Sequence, residues 1–158
     1  MTTPSPDTSG VRVLPPLIYV GLFIVGYAVH RAVPVRLWGD PPRLVRLVAW
    51  GLVAGGVLLA AGAVLLFRRA GTTPHPTGPT TALVIHGPYQ LTRNPMYVGL
   101  GLGYLGATLL VNSIWPLALF PALIVLVQRW VIAHEEAYLE RKFGAEYRAY
   151  QARVRRWL

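Results

Sequence analysis

The chain has 158 residues, 54% of them hydrophobic and only 13% charged, whereas a soluble domain of this size carries about 25% charged residues; lipid is the expected solvent, and one helical domain uses the whole length. The formal net charge of +9 comes almost wholly from arginines at the ends of apolar runs and in the C-terminal segment, a membrane-flanking pattern that argues against a nucleic-acid surface. Cysteine is absent, which excludes disulfides, thiolate catalysis and Cys-based metal sites, and no metal is expected.

The opening MTTPSPDTSG has no basic stretch and no small-residue cleavage pattern follows the first apolar run, so no removable signal peptide is expected. The first apolar run, 13–30, is entered through Pro15 and Pro16 and closed by His30 and Arg31. The next segment, RAVPVRLWGDPPR, is a connecting loop, because its prolines and Gly39 cannot continue a helix. Residues 44–67 are apolar apart from Arg46 and end at Arg68 and Arg69, long enough to cross the hydrocarbon core.

Residues 70–95 form a polar connection, long for a helical bundle and therefore expected to be functional. At its end and just beyond, His86, Gly87, Pro88, Tyr89, Arg93, Asn94, Pro95 and Tyr97 fall inside twelve residues. Gly and Pro restrict the backbone there, while His, Tyr, Arg and Asn offer donors and a stacking face. A third run, 96–111, carries Gly99, Gly101, Gly103 and Gly106 and starts after Pro95, at a helix-start position. Glycine at that density permits close helix approach; it is no dinucleotide fingerprint, since no strand precedes it. Asn112 and Ser113 turn the chain into a fourth run, 114–133.

From 134 to 158, Leu139, Phe143, Tyr147, Tyr150, Val154 and Trp157 recur every three or four residues opposite Arg141, Lys142, Arg148, Arg153 and Arg155. That spacing predicts an amphipathic helix at headgroup level, bent at Gly144. The expected fold is therefore all-α and polytopic, with about four transmembrane helices and an interfacial C-terminal helix. An even number of spans puts both termini and the long loop on one side. The ten Lys and Arg of the loop and tail, against Arg31, Arg36, Arg43 and Arg46 opposite, make that side cytoplasmic.

Glu135 and Glu136 are adjacent at the end of the fourth run, and ionisable groups at a membrane boundary lean towards function. Arg129 precedes Glu136 by seven residues, two helical turns or about 10 Å, so a regular helix puts both on one side.

These residues carry a family resemblance. GPYQLTRNPMYVG, then EEAYLERKFGAEYRAY and the closing VRRWL, resemble the isoprenylcysteine carboxyl methyltransferase and phospholipid N-methyltransferase superfamily. The resemblance implies a cytosol-facing pocket for S-adenosylmethionine that opens laterally to lipid at its other end. His86, Gly87, Tyr89, Arg93, Asn94, Pro95, Tyr97, Gly101, Gly103, Glu135 and Glu136 would line it, with Arg129 and Glu136 at the reacting end. Carboxylates suit the cofactor's amino group and ribose, Arg suits its carboxylate, and an aromatic ring covers adenine. The expected acceptor is a membrane-partitioned amphiphile: a lipid amine, or a hydrophobic carboxylate or thiol. An amine acceptor must lose a proton, for which His75, His86 and the glutamate pair are candidates. Related sterol reductases make a nicotinamide-dependent reductase the alternative enzyme, and a membrane scaffold protein is the non-enzymatic one.

Overall fold

The computed structural model describes residues 8–11, 13–72 and 80–158, and every regular element among them is helical. His75 lies outside the described residues, as does the middle of the 70–95 connection. Helix α1 spans Pro15–Ala32 with proline in its first turn, where the fixed φ favours entry and the missing N–H costs nothing. Helix α2, Arg43–Arg69, follows Pro42 and runs for 27 residues, about 40 Å. Helix α3 is Pro95–Leu110, again begun by proline. Helix α4, Ile114–Val127, is capped by Ser113, whose Oγ accepts from the Trp115 N–H.

Helix α4 does not end at the expected boundary. It passes through a π-helical turn, Gln128–Ile132, directly into α5, Ala133–Phe143, giving one continuous helix from Ile114 to Phe143. Two helices, α2 and this one, are long and apolar enough to cross a membrane, and α3 is apolar but shorter. Leu17, Val20 and Ile24 on α1 and Leu47, Trp50 and Leu58 on α2 are exposed, an apolar surface far larger than water tolerates on a monomer.

Close contacts between helices are set by glycine. Gly56 and Gly99 face each other across α2 and α3, and a Cβ on Gly99 would stand 2.6 Å from the Gly56 carbonyl oxygen. Further along, a Cβ on Gly106 would meet the Ala49 carbonyl oxygen at 2.6 Å. Helix α1 packs chiefly on α4, with Gly26 against the Pro116 backbone. At that end of the bundle Asn112, in the left-handed region at φ 51°, pairs with the backbone of Trp38: its Oδ1 accepts from the Trp38 N–H at 3.0 Å, and its Nδ2 donates to the Trp38 carbonyl at 2.7 Å.

The expected single surface helix over 134–158 is corrected. Gly144, at φ 54° and ψ −118°, ends α5 in a conformation that favours glycine and starts α6, Ala145–Arg153. The chain then turns extended at Val154. The face marked by Leu139, Phe143, Tyr147, Tyr150 and Val154 packs on Val84 and Tyr89 of the long connection and on Leu66 and Phe67 of α2. Aromatic groups at this spacing cover a neighbour as readily as a headgroup layer, and Gly144 decides the matter by folding α6 back.

Candidate active site

The cavity at this end of the bundle is enclosed by the long connection, the start of α3, and α5 with α6. It has a volume of about 90 Å³, and its polar walls are Arg93, Asn94, Glu135 and Glu136, with Tyr89, Tyr97, Tyr138, Tyr147 and Tyr150 around them. The local backbone explains how they converge. Gly87, at φ 62°, opens a one-turn 3₁₀ helix, Gly87–Gln90, that turns Tyr89 inward. Pro95 then starts α3 so that Tyr97, one turn in, faces α5.

The two adjacent glutamates have separate partners. Glu136 is 3.3 Å from Nη2 of Arg93 and receives two bonds from Arg156, from Nε at 3.0 Å and from Nη2 at 2.5 Å. Glu136 and Arg93 are each only 12% exposed at the side chain, where mutual neutralisation is worth most. The hydrogen bond from Arg156 to Glu136 raises the guanidinium's pKa further, against the opposing pull of desolvation. Among the described residues Glu135 accepts a single hydrogen bond, from the Tyr97 hydroxyl at 2.7 Å. Tyr97 is fixed in turn through its carbonyl, which accepts from the Tyr19 hydroxyl at 3.0 Å.

Among the described residues, three buried polar atoms in the cavity wall have no partner: Nε and Nη1 of Arg93 and the hydroxyl of Tyr89. Such orphans are rare in a folded protein and point to a ligand or an ion. The Tyr150 hydroxyl is engaged by the Tyr89 carbonyl at 2.7 Å. Burial pushes the Tyr147 hydroxyl up to about 12, with Glu136 adding and Arg93 opposing, so it stays a neutral donor.

Of the residues selected from sequence, Tyr89, Arg93, Asn94, Tyr97, Glu135 and Glu136 line this cavity, and His86, Gly87, Pro95, Gly101 and Gly103 do not. His86 is exposed before the 3₁₀ turn. Gly101 is buried with Phe120 beside it. Gly103 lines a second, apolar groove of about 600 Å³ between α1, α2 and α3, walled by Tyr19, Phe23, Val57, Ala60, Leu100 and Tyr104. Arg129 lines neither, and it is exposed. The expectation that Arg129 shares a side with Glu136 is thereby corrected: the π turn between them adds a residue to the helix and rotates their relation by about 100°. Sequence reasoning gave no site role to Phe67, Tyr138, Tyr147, Tyr150 or Arg156. Tyr147 and Tyr150 stand in the F-G-x-E-Y-x-x-Y motif and Arg156 in VRRWL, so the signal was present in the motifs but was read as a surface helix.

The family model for phospholipid methyltransferase matches residues 44–146, well over half of the chain and all of the cavity's helical walls except α6, of which it takes in only the first two residues. The chain belongs to the phospholipid methyltransferase family. A 35-residue stretch is 57% identical to an uncharacterized protein of Haemophilus influenzae, covering 22% of this chain and 56% of that one; the chain therefore spans about half the length of the curated relative it matches. No solved structure matches it.

Chemically, the cavity suits the amino-acid end of a zwitterionic ligand. It offers a guanidinium with two nitrogens to spare and a carboxylate held by one tyrosine, walled by aromatic rings. Its volume of about 90 Å³ is below the roughly 300 Å³ at which small-molecule pockets begin. On the wall formed by residues 80–84 the Thr80 N–H donates to the Tyr138 hydroxyl at 3.1 Å, the Thr81 N–H to Thr72 Oγ1 at 2.9 Å and the Thr81 hydroxyl to the Gly71 carbonyl at 3.2 Å.

Proposed function

We propose that the protein is an S-adenosylmethionine-dependent methyltransferase acting on a membrane-partitioned amphiphile, with four membrane spans built on α1, α2, α3 and α4 and the cavity and both termini on the cytoplasmic side. The observation that carries this reading is the pairing, in one buried cavity, of unpartnered Arg93 nitrogens with the Glu135 carboxylate, in a chain of the phospholipid methyltransferase family. S-adenosylmethionine, when bound, supplies an electrophilic methyl group on a sulfonium.

In this reading Arg93 binds the cofactor's carboxylate through Nε and Nη1, and Glu135 binds its amino group. Tyr97 fixes the Glu135 carboxylate in place, and Tyr89 donates its free hydroxyl. The rings of Phe67, Tyr89 and Tyr138 exclude water and give adenine a face to lie on. The apolar groove between α1, α2 and α3 takes the acceptor's tail from the bilayer, which presents its polar end towards the cavity. Tyr19 belongs to the groove and Tyr97 to the cavity, and the hydrogen bond between them couples the two. Arg129, exposed on the lipid-facing side beside Trp130, fits an anionic headgroup at the interface.

Calorimetric titration of the detergent-solubilised protein with S-adenosylhomocysteine, and in parallel with NADPH, tests the reading. Micromolar binding of the first and none of the second is expected. NADPH binding would establish the nicotinamide reductase instead, and binding of neither would leave a membrane scaffold.

A further inference from the structure

Residues 154–158 lie beyond the family match, which ends at 146, yet they are sewn into the cavity wall. The Arg155 carbonyl accepts from the Arg93 N–H at 2.9 Å. The Arg156 carbonyl accepts twice, from the Thr92 hydroxyl at 3.0 Å and from Asn94 Nδ2 at 2.9 Å. Trp157 donates its Nε1 to Gln128 Oε1 at 3.1 Å, in the π turn of the long helix. The segment thus bridges the loop carrying Arg93 to the helix carrying the glutamates, and it sets the Arg156 guanidinium squarely on both oxygens of Glu136.

That placement has an electrostatic consequence. Without Arg156, Glu136 would have only Arg93 to neutralise it in a buried setting, and would draw the Arg93 guanidinium into a two-point pair of its own. The nitrogens of Arg93 that now lack a partner would then be taken. With Arg156 in place, Glu136 is satisfied and holds Arg93 by a single nitrogen, Nη2. The remaining nitrogens of Arg93 stay open to a ligand, and Glu135 is left as the carboxylate that meets its cationic end.

We infer that Arg156 is a positioning residue of the cofactor site: by occupying both oxygens of Glu136 it keeps Arg93 free to bind a ligand carboxylate and divides the adjacent glutamates into an anchor, Glu136, and a ligand group, Glu135. This rests on the cofactor reading above. A guanidinium is required because an ammonium cannot bridge both oxygens in one plane.

The test is S-adenosylhomocysteine binding by calorimetry to wild type, Arg156→Lys, Arg156→Ala, Glu136→Gln and the Arg156→Ala/Glu136→Gln double variant. Arg156→Lys, which keeps the charge and the backbone bonds, should weaken binding at least threefold, and Arg156→Ala at least tenfold. In the Glu136→Gln background the Arg156→Ala change should cost less than twofold more, because its effect runs through Glu136. Tight wild-type binding with Arg156→Lys unchanged, or independent effects in the double variant, overturns this inference alone. Failure of the wild type to bind overturns the cofactor reading and this inference with it. Should the Ala variant not fold, the Lys variant decides.

Discussion

Glu135→Gln and Glu136→Gln differ by one position and should fail in opposite ways. Among the described residues Glu135 receives only the Tyr97 hydroxyl, at 2.7 Å, and glutamine's carbonyl oxygen can accept the same bond. What is lost is the charge facing the ligand's amino group. A hydrogen bond to a charged group contributes about 1.5–3 kcal/mol and a neutral one about 0.5–1.5, so the loss is about 1–2 kcal/mol, or roughly 5- to 30-fold in S-adenosylhomocysteine affinity. Because the substitution also removes the cost of holding a carboxylate in a desolvated wall, thermal stability of the ligand-free protein should hold or rise. Glu136→Gln instead strips the shared counter-ion from Arg93 and Arg156. Breaking a buried pair costs about 3–5 kcal/mol, but Arg156 is 37% exposed and can turn to water, so a loss of about 1–3 kcal/mol is expected. Calorimetric titration and thermal unfolding in the same detergent measure both quantities. A Glu135→Gln protein that binds within twofold of wild type, or that is the less stable of the two, would refute the division of roles.

Substitutions at four other positions probe the scaffold and the interface. Gly99→Ala drives a Cβ to 2.6 Å from the Gly56 carbonyl oxygen and should destabilise by about 1–3 kcal/mol, whereas Gly62→Ala, with nothing within 4 Å, should be neutral or stabilising by up to about 1 kcal/mol; equal melting temperatures would contradict the glycine contact between α2 and α3. Asn112→Gly keeps the left-handed backbone but loses both bonds to Trp38, so it should cost about 1–2 kcal/mol and Asn112→Ala more, by thermal unfolding; the reverse order would deny the backbone strain. Arg129→Ala should leave S-adenosylhomocysteine affinity within twofold and raise the KM for a phospholipid acceptor in mixed micelles at least fivefold, with Arg129→Lys close to wild type; an unchanged KM for the Ala variant removes Arg129 from headgroup binding.

How far the sequence could be read depended on whether a residue's role was local. Prolines at 15 and 95 and the glycine at 144 act through their own φ, and the helix starts and the break appear where those residues stand. Arg93, Asn94, Tyr97 and the glutamate pair were selected as a group because they sit in motifs, and they do meet at one cavity. Composition and motif could not tell Glu135 from Glu136, because the difference lies in Arg156, twenty residues away and brought in by α6 turning back. The same return converts a spacing that reads as an interfacial helix into a wall of the cavity, since an aromatic face records that something is covered but not what. Arg129 was misplaced for a subtler reason. A regular helix has 3.6 residues per turn, and the π turn at Gln128–Ile132 is invisible to a periodicity count because Gln128 and Arg129 are the only polar positions in it and in the run before it back to Ile114. A helix that departs from regular geometry where it meets its own site brings Glu135 and Glu136 to the cavity while Arg129 and Trp130 stay exposed. The irregular turn is therefore part of how one helix presents both a polar cavity wall and an outward side.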